Sequence, residues 1–231
     1  MKILILSDIH GNRAALEAVC EKADMIFCLG DIVNYGPYPN ECIKMVRNLT
    51  DKIVRGNHDN AIGRGMDCGC SSKYKELSDA GKAFTNSVLY KNEKDFLGNL
   101  PITLRLEVEG KKFLFAHSSP NGNLYKYLKP DSTDKELENE VKDAHADIVF
   151  VGHTHLPMIR TVLGITMVNP GSVGQPRDGN PMASYAVWED GNIDIRRIPY
   201  DIDATVKGLQ TTDIADNHIA QLSMILRNGG M

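Results

Sequence analysis

Cysteine is scarce in this chain: the five residues, Cys20, Cys28, Cys42, Cys68 and Cys70, are odd in number and have no framework spacing. That excludes a disulfide scaffold and points to a reducing compartment. Cys28 lies in an apolar strand pattern and reads as core. The "CGC" at 68–70 has no second cysteine pair to complete a tetrahedral metal site and reads as a flexible turn. Long apolar runs are missing too. No stretch approaches the roughly eighteen residues of a membrane span. The opening "MKILILSDIHGN" is too short in its apolar run, and lacks a small-residue cleavage site, to be a signal peptide, so a cytoplasmic protein is expected. Nor is one sign of charge in large excess. Lys and Arg number 26 against 30 Asp and Glu, a net of −4, which gives no case for general nucleic-acid or membrane binding. Linker-like and low-complexity segments are absent. The expectation is one domain over residues 1–231, with a helical and loop insertion at about 60–100 and a helical C-terminal segment at about 201–231.

What is present is alternation. Apolar strands at 2–6 ("KILIL"), 25–29 ("MIFCL") and 52–55 ("KIVR") interleave with helical spacing at 13–23 and through Ile43, Val46 and Leu49. Continuous apolar strands between helices indicate a parallel sheet covered on both faces. Two helices are expected before Pro101. A hairpin ("TLRLEVEG", "KKFLFAH") and an acidic helix at about 133–145 follow, its acidic run taken as a solvated face. Beyond "DIVFV", the segments "MIRTVL", "ITMVN", "ASYAVWED" and "NIDIRRI" read as antiparallel strands. The fold class is α/β, with two packed sheets and outer helices. The single tryptophan, Trp188, is expected between the sheets.

The strand ends carry the chemistry. "ILILS" is followed by Asp8, "IFCLG" by Asp31, "KIVRG" by Asn57, "FLFA" by His117 and "IVFVG" by His153. Two of these ends add a second donor two residues on, His10 and His155. One such end is an ordinary turn; five with the same form converge on the crevice outside the carboxyl ends of the strands. Two carboxylates, four imidazoles and one carboxamide are too many donors for one ion and suit two. Dications about 3.5–4 Å apart repel on the order of 20 kcal/mol at an effective dielectric of 20, so a bridging carboxylate is required, and Asp31 is the candidate. Mixed nitrogen and oxygen ligation suits Mn²⁺ first, with Fe, Zn, Co or Ni compatible, over Ca²⁺. Two dications against Asp8, Asp31 and a hydroxide leave about +1, a charge that attracts an anion and suits hydrolysis of a phosphate ester.

The blocks "SDIHGN", "GDIVNYG", "GNHD", "AH" (116–117) and "GHTH" resemble the five signature blocks of the calcineurin-like metallophosphoesterases. "NPGSVGQPRDG" (169–179) resembles the small bacterial and archaeal branch related to YfcE. The resemblance implies a four-layer α/β/β/α sandwich with two mixed β-sheets. It puts Asp8, His10 and His155 on one metal and Asn57, His117 and His153 on the other, with Asp31 bridging. It implies phosphodiester hydrolysis by in-line attack of a metal-bridging hydroxide, with His58 assisting the leaving group; an unperturbed pKa near 6.5 would suit that task. Asp59 is a candidate to orient His58, although neighbours on extended backbone point apart. Asn12 and Arg177 are candidate phosphate contacts, each equally compatible with a turn role.

Departures from the pattern narrow the activity. Protein phosphatases of the superfamily read GDxVDRG where this chain has "GDIVNYG". Asn34 replaces the Asp that orients their histidine and Tyr35 their phosphate-gripping Arg, which argues against protein phosphatase activity. Several YfcE-like members carry Cys where this chain has His58. The alternatives are a phosphomonoesterase or nucleotide phosphatase on the same metals, and a non-catalytic scaffold such as the retromer subunit that resembles this family. The expected partner is a small phosphate-ester substrate, and a homo-oligomer is compatible with the sequence. Met66 is a candidate for a substrate entrance; His145 and His218 are expected to do no chemistry.

Overall fold

Strand β1 (Lys2–Leu6) divides its side chains between two cores. Ile3 and Ile5 enter one, Leu4 and Leu6 the other, as the two-residue period of a strand requires. The computed structural model describes residues 1–231. After β1 come α1 (Arg13–Ala18), β2 (Met25–Cys28), α2 (Pro39–Leu49), α3 (Asn57–Gly63), α4 (Lys75–Val88) and α5 (Lys91–Asn99). Then follow β3 (Thr103–Val108), β4 (Lys111–Ala116), α6 (Asp134–Val141), β5 (Ile148–Phe150), β6 (Met158–Val162) and β7 (Ile165–Asn169). The chain closes with β8 (Ala183–Glu189), β9 (Asn192–Ile198), α7 (Ile202–Leu209) and α8 (Asp216–Asn228).

The strands form two mixed sheets, β2-β1-β8-β9 and β3-β4-β5-β7-β6. In the first, β1 runs parallel to β2 and antiparallel to β8. In the second, β4, β5 and β7 are parallel, and β3 and β6 close the edges antiparallel. Between the sheets lie Ile3, Ile5, Phe27, Phe113, Phe115, Phe150 and Trp188. Phe27 stacks on Phe115 with centroids 3.8 Å apart, and Trp188 meets Phe113 edge-on at 5.1 Å. The tryptophan therefore packs where expected. Helices α1 and α2 cover the far side of the first sheet through Leu16, Ile43 and Val46. Helix α6 covers the far side of the second through Leu137 and Val141. These are the four layers that the resemblance implied. Helices α4, α7 and α8 share a further apolar cluster that includes Leu77, Phe84, Leu209 and Leu222. No helix is long and apolar enough to cross a membrane.

Three expected elements come out shorter. The helix expected over 13–23 stops at Ala18, where the Val19 and Cys20 amides fold back onto Leu16 and Ala18 in tight turns. The acidic helix spans Asp134–Val141, capped by Thr133, whose hydroxyl accepts from the Glu136 amide while the Glu136 carboxylate returns to the Thr133 amide. The strand expected at 52–55 is an isolated parallel bridge between Ile53 and Cys28. Its extension is cut off because the Arg55 amide donates to the Pro101 carbonyl and the chain enters α3 at Asn57.

Candidate metal centre

The strand ends converge at one edge of the sandwich, and the backbone there is strained. Asp8, His10, Asp31, His153 and His155 all have φ between 49° and 66°. Non-glycine residues rarely adopt this region, and each instance costs on the order of 1–3 kcal/mol. The strain is held by hydrogen bonds between the turns: the Asp8 amide donates to the Gly30 carbonyl and the His10 amide to that of Asp31. Glycine is needed where donors pass close to backbone. A Cβ on Gly56 would lie 2.0 Å from Asp31 Oδ1, and one on Gly152 would lie 2.0 Å from Ser7 Oγ.

Asp8, His10 and His155 form one half of the centre, with ligand atoms within 4.8 Å of one another. Asp8 Oδ2 accepts from the Ser7 hydroxyl at 2.5 Å and the His153 amide at 3.0 Å. Its Oδ1 is buried with no hydrogen-bond partner and lies 3.2 Å from His155 Nε2 and 3.7 Å from His10 Nε2. His10 Nδ1 donates to the Val33 carbonyl at 3.0 Å, and His155 Nδ1 to that of Gln175 at 2.6 Å. Both Nε2 lone pairs then point into the centre, 3.0 Å apart. Two imine lone pairs and an orphaned carboxylate oxygen repel unless a cation or a proton sits among them. Outer hydrogen bonds that fix the tautomer in this way are the usual support of metal-binding histidines.

The other half is built around Asn57. Its Nδ2 donates to the Cys68 carbonyl at 2.8 Å, which turns Oδ1 inward, 2.9 Å from both His117 Nε2 and His153 Nδ1. His117 Nδ1 donates to the Leu29 carbonyl, and its Nε2 lies 3.2 Å from Asp31 Oδ2. That same Oδ2 is 3.8 Å from His10 Nε2, so Asp31 faces both halves. All seven expected donors are brought together and buried. Their donor set, with the outer nitrogens of His10, His117 and His155 tied to backbone carbonyls, fits divalent cations.

Electrostatics divides the imidazoles. Burial pushes His10 and His153 down to about 3, aided by neighbouring imidazoles. Burial and then the Arg177 charge hold His155 well below its ordinary value. His117 goes the other way: burial opposes its charge, but Asp31 and Asp8 raise it to about 9. Asp31 in turn is held well below the usual carboxylate range by His117, His58 and His10, against the opposing effect of burial.

His58 differs from the expectation of an unperturbed imidazole. It is buried, and burial pushes it down to about 3 although Asp31 opposes this. Its partner is Asn34, not Asp59. The Asp59 carboxylate turns away to accept from the amides of Asp31, Ile32 and Gly56. Asn34 Oδ1 accepts from the Tyr35 amide and Nδ2 donates to the Ser78 carbonyl, which fixes the orientation of the carboxamide. Nδ2 therefore donates to His58 Nδ1, 2.6 Å away, and the ring proton resides on Nε2, which points toward Asp31 Oδ2 at 3.9 Å. His58 is a neutral imidazole offering one N–H.

Other expectations need correction. Asn12 caps α1 by accepting from the Ala15 amide; it also accepts from the Thr205 hydroxyl and donates to the Gly174 carbonyl. Its polar atoms are engaged in scaffold, which favours the turn role over phosphate contact. The "CGC" segment is no flexible turn: Cys68 is buried and bridged to Cys70, whose sulfur lies 3.5 Å from His58 Nε2. The closeness of 68 and 70 to the centre follows from the Asn57–Cys68 hydrogen bond, which no spacing rule encodes. Met66 is half exposed and its sulfur lies against Asn60. His145 and His218 lie outside the centre. Arg177 does reach it. Its guanidinium lies 3.8 Å from the centroid of the Tyr74 ring and 5.7 Å from that of Tyr35. Together with Lys73, Tyr127 and Lys129 it lines a cleft at the edge of the centre; these other residues carry no motif and were not foreseen.

Residues 1–192 match the family described as the calcineurin-like phosphoesterase superfamily domain. Protein MJ0912 of Methanocaldococcus jannaschii is 35% identical over 223 residues, covering 87% of this chain and 88% of its own length. The phosphodiesterase YfcE of Escherichia coli is 27% identical over 208 residues, covering 82% and 88%. A metallophosphoesterase structure from Sphaerobacter thermophilus superposes with a TM-score of 0.80 at 30% identity, covering 99% of each chain. The chain belongs to the calcineurin-like phosphoesterase superfamily, in its YfcE-like branch, and is a metal-binding hydrolase of that family.

Proposed function

We propose that this chain is a dinuclear, metal-dependent phosphodiesterase, with Mn²⁺ as the first expected metal. The observation that carries the reading is the arrangement around Asp8 Oδ1. A buried, unpartnered carboxylate oxygen faces two imidazole nitrogens whose opposite nitrogens are tied to backbone carbonyls. Asp8, His10 and His155 would hold one cation, Asn57, His117 and His153 the second, and Asp31 would serve both. When bound, the cations supply Lewis acidity and a nucleophilic water at neutral pH.

The chain's own residues supply the rest. Asn34 keeps the His58 proton on Nε2, so His58 donates a hydrogen bond to a phosphoryl or leaving oxygen. At a pKa near 3 it carries no second proton at neutral pH, which favours hydrogen bonding over full proton transfer. Arg177, its guanidinium carbon 3.8 Å from the Tyr74 ring centroid, offers its terminal N–H groups not taken by Gln175 to an anionic substrate.

The test is hydrolysis of an aryl phosphodiester with added Mn²⁺, beside Asn57→Ala and His153→Ala. Metal-dependent turnover in wild type and its loss in both variants is expected; equal activity in all three would sink the reading. Hydrolysis of monoesters is the second reading. It is favoured by the cations of the adjoining cleft, which would offset the extra charge of a monoester dianion, and side-by-side kinetics on both aryl esters separates the two. A site that is empty after purification without chelator and cannot be reloaded would favour the non-catalytic scaffold. A cytoplasmic location belongs to the same proposal: Cys20, Cys28 and Cys42 are unbridged, which favours it, while the Cys68–Cys70 bridge counts against a reducing compartment; cell fractionation decides.

A further inference from the structure

Cys68 and Cys70 are bridged, while Cys20, Cys28 and Cys42 are not. The bridge joins residues two apart in the chain. It closes one of the shortest possible loops and removes little entropy from the unfolded chain, so stapling the fold is a poor account of it. Cys28 and Cys42, by contrast, are packed into the apolar core, where a thiol is inert.

The surroundings of the bridge belong to the metal centre. The Cys68 carbonyl accepts from Asn57 Nδ2 at 2.8 Å, the contact that turns Asn57 Oδ1 towards the second half of the centre. The Ser78 hydroxyl lies 3.2 Å from the Cys68 sulfur and 3.3 Å from that of Cys70. The same oxygen accepts from Asn34 Nδ2 at 3.2 Å, and Asn34 fixes the proton of His58. The Cys70 sulfur faces His58 Nε2 at 3.5 Å. One pair of sulfurs thus touches the supports of both Asn57 and His58. It is also within reach of solvent: Cys68 is buried, but Gly69 is exposed and Cys70 only half-buried.

We propose that the Cys68–Cys70 pair is a site of thiol–disulfide exchange that sets the affinity of the second half of the centre for its cation, tighter when bridged. The proposal rests on the dinuclear reading and adds its regulation. The co-reactant is a dithiol. One of its sulfurs attacks the accessible Cys70 sulfur, the bond between the cysteines breaks, and its electron pair leaves on Cys68, which takes up a proton. The second thiol of the reductant then attacks the mixed disulfide, closing its own disulfide and releasing Cys70 as a thiol. Two electrons and two protons pass from the dithiol to the pair. Breaking the bond separates the sulfurs to van der Waals contact. The loop has little room for this, since a Cβ on Gly69 would already lie 2.6 Å from the Tyr125 ring. The backbone at 68–70 must shift, the Cys68 carbonyl moves with it, and Asn57 loses part of its hold. Outer partners of metal ligands tune affinity in this way.

The test is a redox series on wild type. Protein stripped with chelator and exchanged into chelator-free buffer is oxidised with diamide or reduced with dithiothreitol and freed of the reagent. Part is denatured for a thiol assay, and part is titrated with Mn²⁺ under calorimetry. Three thiols are expected in the oxidised form and all five cysteines in the reduced form. The second equivalent of Mn²⁺ should bind a few-fold more weakly in the reduced form, the first equally in both, and reoxidation should restore the tighter value. Cys70→Ser should match the reduced form and respond to neither reagent. Five thiols after both treatments would overturn the proposal. So would equal affinity of the second equivalent in both forms, or a redox response retained in Cys70→Ser. Two equivalents bound without a redox response would defeat the switch and leave the phosphodiesterase reading standing. A redox-dependent second equivalent in a protein that does not turn over the aryl ester would do the reverse.

Discussion

The two halves of the metal centre are anchored differently. In the Asp8–His10–His155 half, both imidazoles are tied through Nδ1 to backbone carbonyls, those of Val33 and Gln175. In the Asn57–His117–His153 half, only His117 has such a tie; His153 Nε2 is buried without a partner, and Asn57 leans on the carbonyl of Cys68. The first half is therefore held by ordered turns at the centre of the fold, the second partly by a bridged surface loop. The protons differ too: His10 and His155 are neutral, whereas His117 keeps a proton against Asp31. The first half is preformed for a cation, and the second must give up a proton and depends on a loop.

Asp31, which faces both halves, carries the largest expected effect. Asp31→Ala should lower turnover of an aryl phosphodiester well beyond the roughly 10–100-fold typical of outer partners and reduce metal content in both halves. Retention of one full metal equivalent in that variant would contradict the bridging role.

Acid should act next most strongly, on chelator-treated protein. His10, His58 and His153 have folded pKa values near 3, below their unfolded value of about 6.5. The unfolded chain binds more protons in that window, so stability falls as pH drops from about 6.5 towards 3, by about 1.4 kcal/mol per unit for each imidazole. His117, raised to about 9, has the opposite sign: its contribution is full below about 6.5 and is lost as pH rises through 9. Thermal midpoints measured in chelator at pH 7 and 5.5 should differ, the lower one at 5.5. Asp59, raised to about 7 by burial and by Asp31, gains stability over the same interval and offsets part of this; a higher midpoint at 5.5 would contradict the buried neutral state of the three imidazoles.

A smaller loss is expected from Asn34→Leu. Removing the donor to His58 Nδ1 frees the ring tautomer and should cost about 10–100-fold in kcat, with metal content unchanged in both halves. A fall in metal content would instead assign Asn34 to holding the centre together. Cys70→Ser should have the least effect. It breaks the bridge but leaves the Cys68 carbonyl, so a few-fold weaker second-half metal is expected and the first half should be unaffected. Equal weakening of both metals would remove the proposed difference in anchoring.

Much of the centre was legible because its leading donors follow apolar strands within three residues. A strand end sets the position of the next few residues, and Asp8, His117 and His153 follow β1, β4 and β5 by two, one and three residues. Of the cleft only Arg177 was legible. Lys73 and Lys129 carry no motif, come from segments far apart in the chain and meet it only through tertiary packing. The partner of His58 was hidden for a related reason. Asn34 was visible as a departure from the phosphatase pattern, but its contact depends on a left-handed turn, φ 77° at Asn34 and 60° at Tyr35, that sequence periodicity does not register. The strand expected at 52–55 shows the opposite error. Apolar residues in a row do not reveal that the Arg55 amide is taken by Pro101.

Metal stoichiometry tests the division into halves most directly. Wild type, His155→Ala and His153→Ala, stripped with chelator, exchanged into chelator-free buffer and titrated with Mn²⁺ under calorimetry, should bind two, one and one equivalents. The retained ion in His155→Ala should be the weaker one and that in His153→Ala the tighter one. Loss of one and the same ion in both variants would contradict the account.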